Sequence, residues 1–406
     1  MIPLQNSEHA VPALAILDTT LREGEQFVRA HFTSEQRLEL ARRLDNFGVD
    51  IIEVPSPLVS PQTAADVRAL AALGLRARVV AHVRCVAADV DSALAAGVSG
   101  VNLYFGTSPQ LRSYSHGHTL DHVAAEAVHQ VQHVLNAGLY VRFSAEDAFR
   151  TPLDDLLPLF DAVVAAGVNR IGMPDTVGIA TPRLVAERIG IMRERYPDVG
   201  IEFHGHNDTG CAVANALAAL EAGADCIDAT VLGIGERNGI TSLSGLVAGV
   251  FPRWPTLLER YDLLHLPALD QYVAGILAMP IPFNSPITGE AAFTHCAGVH
   301  TNAVLRMPGA YEALDPAPFG LMRRIDITSR LVGYHAIVAR AEELGITMGN
   351  DAARAVTAQV KYLADAGRLT TAQVDAIIRA HAGHPSPQPP SKAMDKRRAE
   401  AHGNIE

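Results

Sequence analysis

Eight short segments rich in valine, isoleucine and leucine recur through the first 250 residues, and each is followed by a longer segment with helical spacing. Capping signals support these helices, since Thr33 or Ser34 can begin one that Gly48 ends. Eight parallel strands with crossover helices in about 250 residues favour a closed barrel over an open doubly wound sheet. The repeat predicts an α/β protein, a (β/α)8 TIM barrel, with strands at 13–21, 49–55, 77–83, 99–105, 139–146, 170–176, 201–207 and 226–232.

The remaining segments differ from the barrel repeat in composition. After the barrel the chain mixes short helical segments with proline and glycine turns, and two further helices are predicted near 329–344 and 351–381. The last residues are rich in proline and charge and cannot form a packed core. We predict an N-terminal extension at 1–12, a catalytic barrel at 13–255, a helical C-terminal subdomain with a lid segment at 256–383, and a disordered tail at 384–406.

The composition argues against several classes of protein. No apolar run approaches the roughly 20 residues that a membrane span requires. The first twelve residues lack the basic start and apolar stretch of a signal peptide, so we expect a cytoplasmic protein. A formal net charge of −11 disfavours a nucleic-acid partner, although a local basic pocket could hold one anionic ligand. The four cysteines show no paired spacing and are expected to be reduced.

Barrels of this class place the active site at the carboxyl ends of their strands. Polar residues should therefore gather at those ends, and in this sequence they do. Arg22 and Glu23 follow strand 1, His82 and Arg84 end strand 3, Arg142, Ser144 and Glu146 end strand 5, Asp175 and Thr176 end strand 6, and His204, His206 and Asn207 end strand 7.

One set of these residues has the character of a metal site. His204 and His206 are two residues apart in a strand, so their side chains point to the same side. Together with the carboxylate of Glu23 they form three ligands and leave positions open for substrate and water, which suits a catalytic divalent cation. Nitrogen and oxygen ligands accept Mg, Mn, Zn or Co, and the sequence leaves the choice open.

A second set lies on predicted strand 5. Arg142, Ser144 and Glu146 alternate along it and so share one face, which would be costly inside an apolar barrel without polar partners. An internal ion-pair network is one interpretation. We favour contact with a substrate carboxylate, because arginine binds carboxylates through two hydrogen bonds and serine adds a donor. His82 and Thr176 could complete this site from neighbouring strands.

Longer motifs add a family resemblance. The segments "DTTLREGEQF", "RFSAEDAFR", "EFHGHNDTGCAVANALAALEAGA", "TVLGIGERNG", "IPFNSPITGEAAFTHCAGVH" and "SRLVGYHAI" together resemble the homocitrate synthases, over roughly residues 13–380. These belong to the metal-dependent acyl-CoA-condensing barrel enzymes, which include isopropylmalate and citramalate synthases. The sister enzymes usually have aspartate where this chain has Glu23, so the resemblance favours the homocitrate synthase branch.

The resemblance implies a reaction and a role for the metal site. Acetyl-CoA would be condensed with 2-oxoglutarate and the thioester hydrolysed to give homocitrate and CoA, the first step of lysine biosynthesis by the α-aminoadipate pathway. Glu23, His204 and His206 would hold the divalent metal. Arg22 would lie beside the 2-oxo group and stabilise the negative charge that develops on its oxygen.

It also implies how the two substrates are handled. Four residues would surround the carboxylates of 2-oxoglutarate: His82, Arg142, Ser144 and Thr176. Three would handle protons at the acetyl-CoA methyl group: His300, Glu146 and Tyr311. Because His300 follows the barrel, in a segment that this family often supplies from the partner subunit, a homodimer is implied.

Two alternatives stay open at this point. One is a related synthase, of the isopropylmalate or citramalate type, that uses another 2-oxo acid; the other is a catalytically silent barrel that binds a metabolite.

A further expectation concerns feedback inhibition by lysine. Lysine-inhibited relatives tend to carry aspartate in strand 4 where this chain has Asn102, although Glu202, the other acidic candidate for the lysine ammonium, is present. We therefore expect weakened lysine feedback.

Overall fold

A computed structural model describes residues 13–382, so the predicted extension at 1–12 and tail at 384–406 lie outside the described residues. Eight parallel strands pair in chain order, and the first also pairs with the eighth, which closes the sheet. The predicted (β/α)8 barrel is confirmed. Its strands are β1 (Ala15–Asp18), β2 (Ile51–Val54), β3 (Arg78–Arg84), β4 (Gly100–Gly106), β5 (Tyr140–Glu146), β6 (Arg170–Asp175), β7 (Gly200–Gly205) and β8 (Cys226–Ala229).

Helices follow each strand and return the chain to the amino end of the next one. The predicted caps of the first helix are present: Thr33 forms a capping box with Gln36, and Gly48 ends the helix at a φ of 102°. The barrel helices are α1 (Ser34–Phe47), α2 (Pro61–Ala71), α3 (Ala87–Ala95), the single turn α4 (Pro109–Leu111), α5 (Leu120–Asn136), α6 (Leu153–Ala165), α7 (Pro182–Arg195), α8 (Ala212–Glu221) and α9 (Leu243–Val250).

The barrel interior changes from apolar to charged along its axis. Near the amino ends of the strands, Leu17, Ile51, Val80 and Cys226 pack together. Two residues further along β2 and β8, on the same inward face, stand the fully buried acids Glu53 and Asp228. The barrel interior is therefore apolar near the amino ends of the strands and charged closer to their carboxyl ends.

The barrel unit extends beyond the predicted boundary at residue 255. Residues 13–292, together with 313–322, form one compact unit, and residues 293–312 with 323–382 form a second. Helix α10 (Leu266–Leu277), predicted to lie in the C-terminal subdomain, belongs to the barrel unit, where it buries Leu266, Leu269 and Val273.

The second unit is mainly helical. It contains the strand pair β9 (Thr294–His295) and β10 (Arg324–Ile325), and helices α11 (Gly298–Arg306), α12 (Tyr334–Glu343), α13 (Asn350–Ala364) and α14 (Thr371–Ala382). The single helix predicted near 351–381 is thus two, because Thr370 and Gln373 form a new capping pair after Gly367. Among residues 13–382, none of the helices combines the length and apolar character that crossing a bilayer requires.

Asp270 of α10 is a buried carboxyl, and we expect its titration to change the stability of the barrel unit. The side chain is fully buried and accepts a 2.6 Å hydrogen bond from Thr288 Oγ1. Burial raises the pKa of this carboxyl to about 6. The folded state then binds more protons than the unfolded state between about pH 4 and pH 6, so stability falls as the pH rises through this window.

We expect Asp270→Asn to reduce the dependence of the free energy of unfolding on pH and to raise that free energy at pH 8 by up to about 3 kcal/mol. Asparagine keeps an acceptor for Thr288 and removes the buried charge. Urea unfolding at pH 5 and pH 8 measures the effect, with the exposed Asp365→Asn as the control. A variant whose slope between the two pH values equals that of the parent protein would contradict the assignment.

Candidate active site

A cavity of about 260 Å³ opens at the carboxyl ends of the barrel strands. The strands position its residues directly, because each functional side chain lies on the last residues of a strand or in the turn that follows. Nine of the eleven predicted site residues line this cavity: Arg22, Glu23, His82, Arg142, Ser144, Glu146, Thr176, His204 and His206. The other two, His300 and Tyr311, lie in the second unit.

Glu23, His204 and His206 come together as a potential metal site. Each offers a ligand atom, and the three atoms lie within 4.8 Å of one another. All three side chains are buried. The Nδ1 atom of His206 is also buried and has no hydrogen-bond partner among the described residues, which is unusual for a buried polar atom. The donor set and this orphaned nitrogen fit a divalent cation.

The protonation states of these ligands also suit a metal. Burial and the neighbouring His204 lower the pKa of His206 to about 3, which leaves a neutral imidazole. Burial alone would raise the pKa of Glu23, but Arg22 and the two histidines lower it to about 2. Asp228 Oδ2 lies 3.1 Å from His204 Nδ1 and can fix the orientation of that ring, as carboxylates behind metal-binding histidines do.

Arg22 lies at the edge of the potential metal site and is held by two carboxylates. Its Nη1 pairs with Glu23, and its Nε donates to Glu53 Oε1 at 2.7 Å. These partners raise the pKa of Arg22 despite its burial. The guanidinium is therefore a fixed positive charge beside the three potential ligands, suited to stabilising an oxyanion.

Glu53 joins the residues on opposite sides of the cavity. It is fully buried and accepts hydrogen bonds from Thr19 Oγ1 at 2.9 Å, from Asn102 Nδ2 at 3.0 Å and from Arg142 Nη2 at 2.6 Å, in addition to Arg22. Although burial would raise it, Arg22 and the other neighbouring cations hold the pKa of Glu53 well below its usual range. Sequence reasoning missed this residue, whose one signal was an acid inside the apolar run "IIEVP".

Arg142 makes internal ion pairs. Besides Glu53 it contacts Glu202, and its Nη1 lies 3.5 Å from Asp228 Oδ1. The side chain is only 2% exposed, so these carboxylates neutralise a guanidinium that the interior would not otherwise accept. In the structure Arg142 therefore belongs to an internal ion-pair network, the first of the two interpretations given for it above. Arg142 also lines the cavity, so contact with a substrate stays a proposal.

The remaining barrel residues form a connected polar wall. Ser144 Oγ donates to Asn102 Oδ1 at 3.1 Å, and Asn102 lies 2.6 Å from Nδ1 of His82. The His82 ring stacks on Tyr104 with centroids 4.3 Å apart. Burial, followed by the charge of Arg22, lowers the pKa of His82, which favours the neutral ring. This wall can therefore both donate and accept hydrogen bonds at neutral pH.

Glu146 and Thr176 complete the rim. Burial and the neighbouring Asp147 raise the pKa of Glu146, which moves this carboxyl toward the range of a proton carrier. Thr176 Oγ1 accepts a hydrogen bond from the backbone N–H of Asp147 at 2.9 Å. Arg84, in contrast, does not line the cavity: it is exposed and pairs with Asp89 at 2.7 Å.

In the second unit the structure brings His300 and Tyr311 together. Their ring centroids are 4.3 Å apart, and both side chains are exposed. The nearby His295 instead contacts Glu312 at 2.9 Å, which also pairs with Arg323. His295 therefore has a structural role within this unit, whereas His300 keeps a free face.

Comparisons with known proteins agree with this geometry. Residues 13–273 match the HMGL-like family, and residues 287–368 match the homocitrate synthase post-HMGL domain-like family. The chain is 46% identical over 384 residues to the cytosolic isozyme of homocitrate synthase from Saccharomyces cerevisiae. The matched region covers 94% of this chain and 90% of the yeast protein. The mitochondrial homocitrate synthase of the same yeast is 45% identical over 384 residues, covering 94% and 87%. A probable 2-isopropylmalate synthase from Methanopyrus kandleri is 39% identical over 358 residues, covering 87% and 70%.

Proposed function

Because this chain belongs to the homocitrate synthase family of the HMGL-like barrel enzymes, we infer that it condenses acetyl-CoA with 2-oxoglutarate and hydrolyses the thioester to give homocitrate and CoA. The observation that carries this inference is the match to homocitrate synthases over nine-tenths of both chains, in a barrel that groups Glu23, His204 and His206. The enzyme is an acyltransferase, and the product implies a place at the start of lysine biosynthesis.

We assign the metal to Glu23, His204 and His206. A divalent cation bound there would polarise the 2-oxo group of 2-oxoglutarate. Arg22, which already touches Glu23, would contact the oxygen of that group and stabilise its charge as the new carbon–carbon bond forms. The same oxygen ends as the hydroxyl of homocitrate once it takes up a proton.

The carboxylates of 2-oxoglutarate need two further contacts. We assign the far carboxylate to Arg142 and Ser144 with His82, and the near one to Thr176. The support for this assignment is that all four line the cavity and that Ser144 and His82 share Asn102 as a hydrogen-bond partner. A pyruvate substrate has no far carboxylate, so this wall would distinguish the two acids.

For acetyl-CoA we assign His300 as the base that removes a methyl proton, with Tyr311 and Glu146 as its partners in proton transfer. The contact of the His300 and Tyr311 rings and the raised pKa of Glu146 support this assignment. We further propose a homodimer, in which the partner subunit supplies His300, and a cytoplasmic location. A single divalent metal, Mg, Mn, Zn or Co, completes the proposed enzyme.

CoA release from acetyl-CoA tests the reaction. With a divalent metal present, 2-oxoglutarate should be preferred to pyruvate, 2-oxoisovalerate and oxaloacetate. The similarity to an isopropylmalate synthase gives the second candidate, a synthase for another 2-oxo acid, and a preference for 2-oxoisovalerate would support it. CoA release with none of the four acids would favour a catalytically silent barrel.

Weak inhibition by lysine is a separate prediction. Asn102 is neutral, and the carboxylate of Glu202 already pairs with Arg142, so neither group is a free anion for an ammonium. We expect Asn102→Asp to lower the inhibition constant of lysine about tenfold or more, because a charged hydrogen bond contributes about 1.5–3 kcal/mol. Steady-state assays against 2-oxoglutarate measure the change.

Asn102→Ala is the matched control, since it removes the amide without adding a charge. It should weaken binding of 2-oxoglutarate through loss of the Ser144 contact and leave lysine inhibition weak. Tight competitive inhibition of the parent protein by lysine would contradict the prediction.

A further inference from the structure

A second, larger cavity lies at the opposite end of the barrel. It has a volume of about 620 Å³, and it is lined by residues at the amino ends of β1, β2, β3, β5 and β6 and in the loops that precede some of them. Since parallel strands all begin at one face, this cavity is separated from the candidate active site by the apolar part of the barrel interior. None of the catalytic, substrate-binding or metal-binding roles assigned above involves its residues.

The cavity is basic although the chain is acidic. Four arginines line it, Arg76, Arg78, Arg170 and Arg260, against two aspartates, Asp45 and Asp50. Outside the lining, Arg170 shares Asp225 with Arg193, which adds one charge of each sign. The site thus carries two excess positive charges in a protein whose net charge is −11, a local field that attracts anions.

The two lining aspartates are already occupied. Asp50 Oδ2 accepts hydrogen bonds from the Ile16 N–H at 2.8 Å, from Arg260 at 2.6 Å and from the Tyr261 hydroxyl at 2.9 Å. Asp45 Oδ1 accepts from the Ala77 N–H at 2.8 Å. These acids fix the framework of the cavity and do not neutralise Arg78.

Arg78 and Arg170 both contact Tyr140. The Arg78 guanidinium lies 4.9 Å from the centre of the Tyr140 ring, and within residues 13–382 it makes no hydrogen bond or ion pair. Arg170 Nη1 donates to the Tyr140 hydroxyl at 3.2 Å. Two guanidinium groups and a phenol therefore face one cavity, and one of those guanidinium groups has all its donors available.

Two glycines make this arrangement possible. A side chain at Gly100 would approach the Tyr140 ring and its backbone oxygen to 2.9 Å, and one at Gly200 would lie 2.8 Å from Arg170 Nε. Any larger residue at the start of β4 or β7 would displace the tyrosine or the arginine. The two glycines thus leave the space that the observed positions of Tyr140 and Arg170 require.

From these observations we propose that the amino-terminal face of the barrel binds a small molecule that carries a phosphate group, with Arg78, Arg170 and Tyr140 as its main contacts. A phosphate monoester carries a charge of about −1.5 to −2 at pH 7, which matches the local excess. Guanidinium groups bind phosphate oxygens through paired hydrogen bonds. The volume also admits the organic part of an ester, since sites for small molecules span about 300–1,000 Å³.

Calorimetric titration of the metal-loaded, full-length protein tests the proposal at constant ionic strength. Inorganic phosphate and glucose 6-phosphate are the probes, with glucose and succinate for comparison. Binding of both phosphates supports the site: equal affinities identify the phosphate as the whole ligand, and tighter binding of glucose 6-phosphate shows that the ester contributes. Succinate binding more tightly than either phosphate, or no binding of phosphate below about 10 mM, would overturn the proposal.

Variants locate the site. Arg78→Gln should weaken phosphate binding about tenfold, because it removes a charged donor without breaking an ion pair. Arg76→Gln, also exposed, should weaken it less. The control Arg183→Gln changes the same charge at the start of α7, near the other end of the barrel, and should leave the affinity unchanged. Phosphate binding that survives in Arg78→Gln but is lost in Glu23→Gln would place the anion at the candidate active site and refute the proposal.

Discussion

Glu23→Gln is expected to lose the bound metal and to lower kcat/KM for 2-oxoglutarate by about 10³-fold. A cation that polarises a carbonyl contributes several kcal/mol to transition-state stabilisation, and about 4 kcal/mol corresponds to that factor. Glutamine retains an oxygen that can accept the 2.8 Å hydrogen bond from the Glu236 N–H, so the loop should keep its shape. The lost feature is the negative charge that sits between Arg22 and the two histidines.

The chain provides a matched control for this variant two residues away. Glu25 lies in the same segment and pairs with Arg37 at 2.6 Å, and it does not line the cavity. Glu25→Gln should therefore keep both the metal and the activity. Metal content measured by mass spectrometry, together with CoA release, distinguishes the two variants. A Glu23→Gln protein with one tightly bound metal per chain and near-parental activity would contradict the ligand assignment.

Most of the barrel could be predicted from the sequence because its signals are local. The alternation of apolar strands with amphipathic helices is legible at each repeat, and caps such as Thr33 and Gly48 mark helix ends. Closure followed from counting strands. The rule that barrel sites lie at the carboxyl ends then identified residues that do line one cavity, including Glu23, His204 and His206.

The partners of those residues could not be predicted, because they depend on contacts across the barrel. Glu53 and Arg142 are 89 positions apart, and their 2.6 Å contact depends on strand tilt and stagger. For Arg84 the sequence predicted a place at the site that the structure does not show. Alternation puts Arg84 on the same face of β3 as His82, but the strand ends at this residue, and its side chain pairs with Asp89. Side-chain alternation is reliable within a strand and weak at its last residue.

The predicted boundary at residue 255 differs from the observed division into two units for a related reason. The segment after residue 255 has the turns and short helices of an appendage, yet α10 packs with the barrel because its apolar face is buried there. The composition of a segment indicates whether it forms turns or helices, but it does not indicate which surface the segment packs against. Leu266, Leu269 and Val273 are spaced as one face of a helix, but such spacing does not identify the surface against which that face packs.

The second large effect is expected for Glu53→Gln, which should lower the free energy of unfolding by about 3–5 kcal/mol. Removing one member of a buried ion pair leaves the other charged and poorly solvated. In this case both Arg22 and Arg142 lose their shared anion, while the glutamine side chain would still fit the space. Urea unfolding at pH 7.5 measures the loss. The partly exposed pair of Glu39 and Arg43, 2.8 Å apart, supplies the control, since Glu39→Gln should change stability by less than about 1 kcal/mol.

A double variant separates charge from shape. If Glu53 stabilises the fold chiefly by neutralising Arg142, then Glu53→Gln combined with Arg142→Gln should be less destabilised than the sum of the two single variants, with a coupling of about 0.5–3 kcal/mol. Activity should not recover with it, because Arg22 still lacks the negative charge of its 2.7 Å partner and the wall of the cavity has lost a guanidinium. Stability that recovers while kcat/KM stays low would show that the charged part of the barrel interior serves the site as well as the fold. Additive losses in the double variant would instead mean that Glu53 acts through Thr19 and Asn102, its uncharged partners.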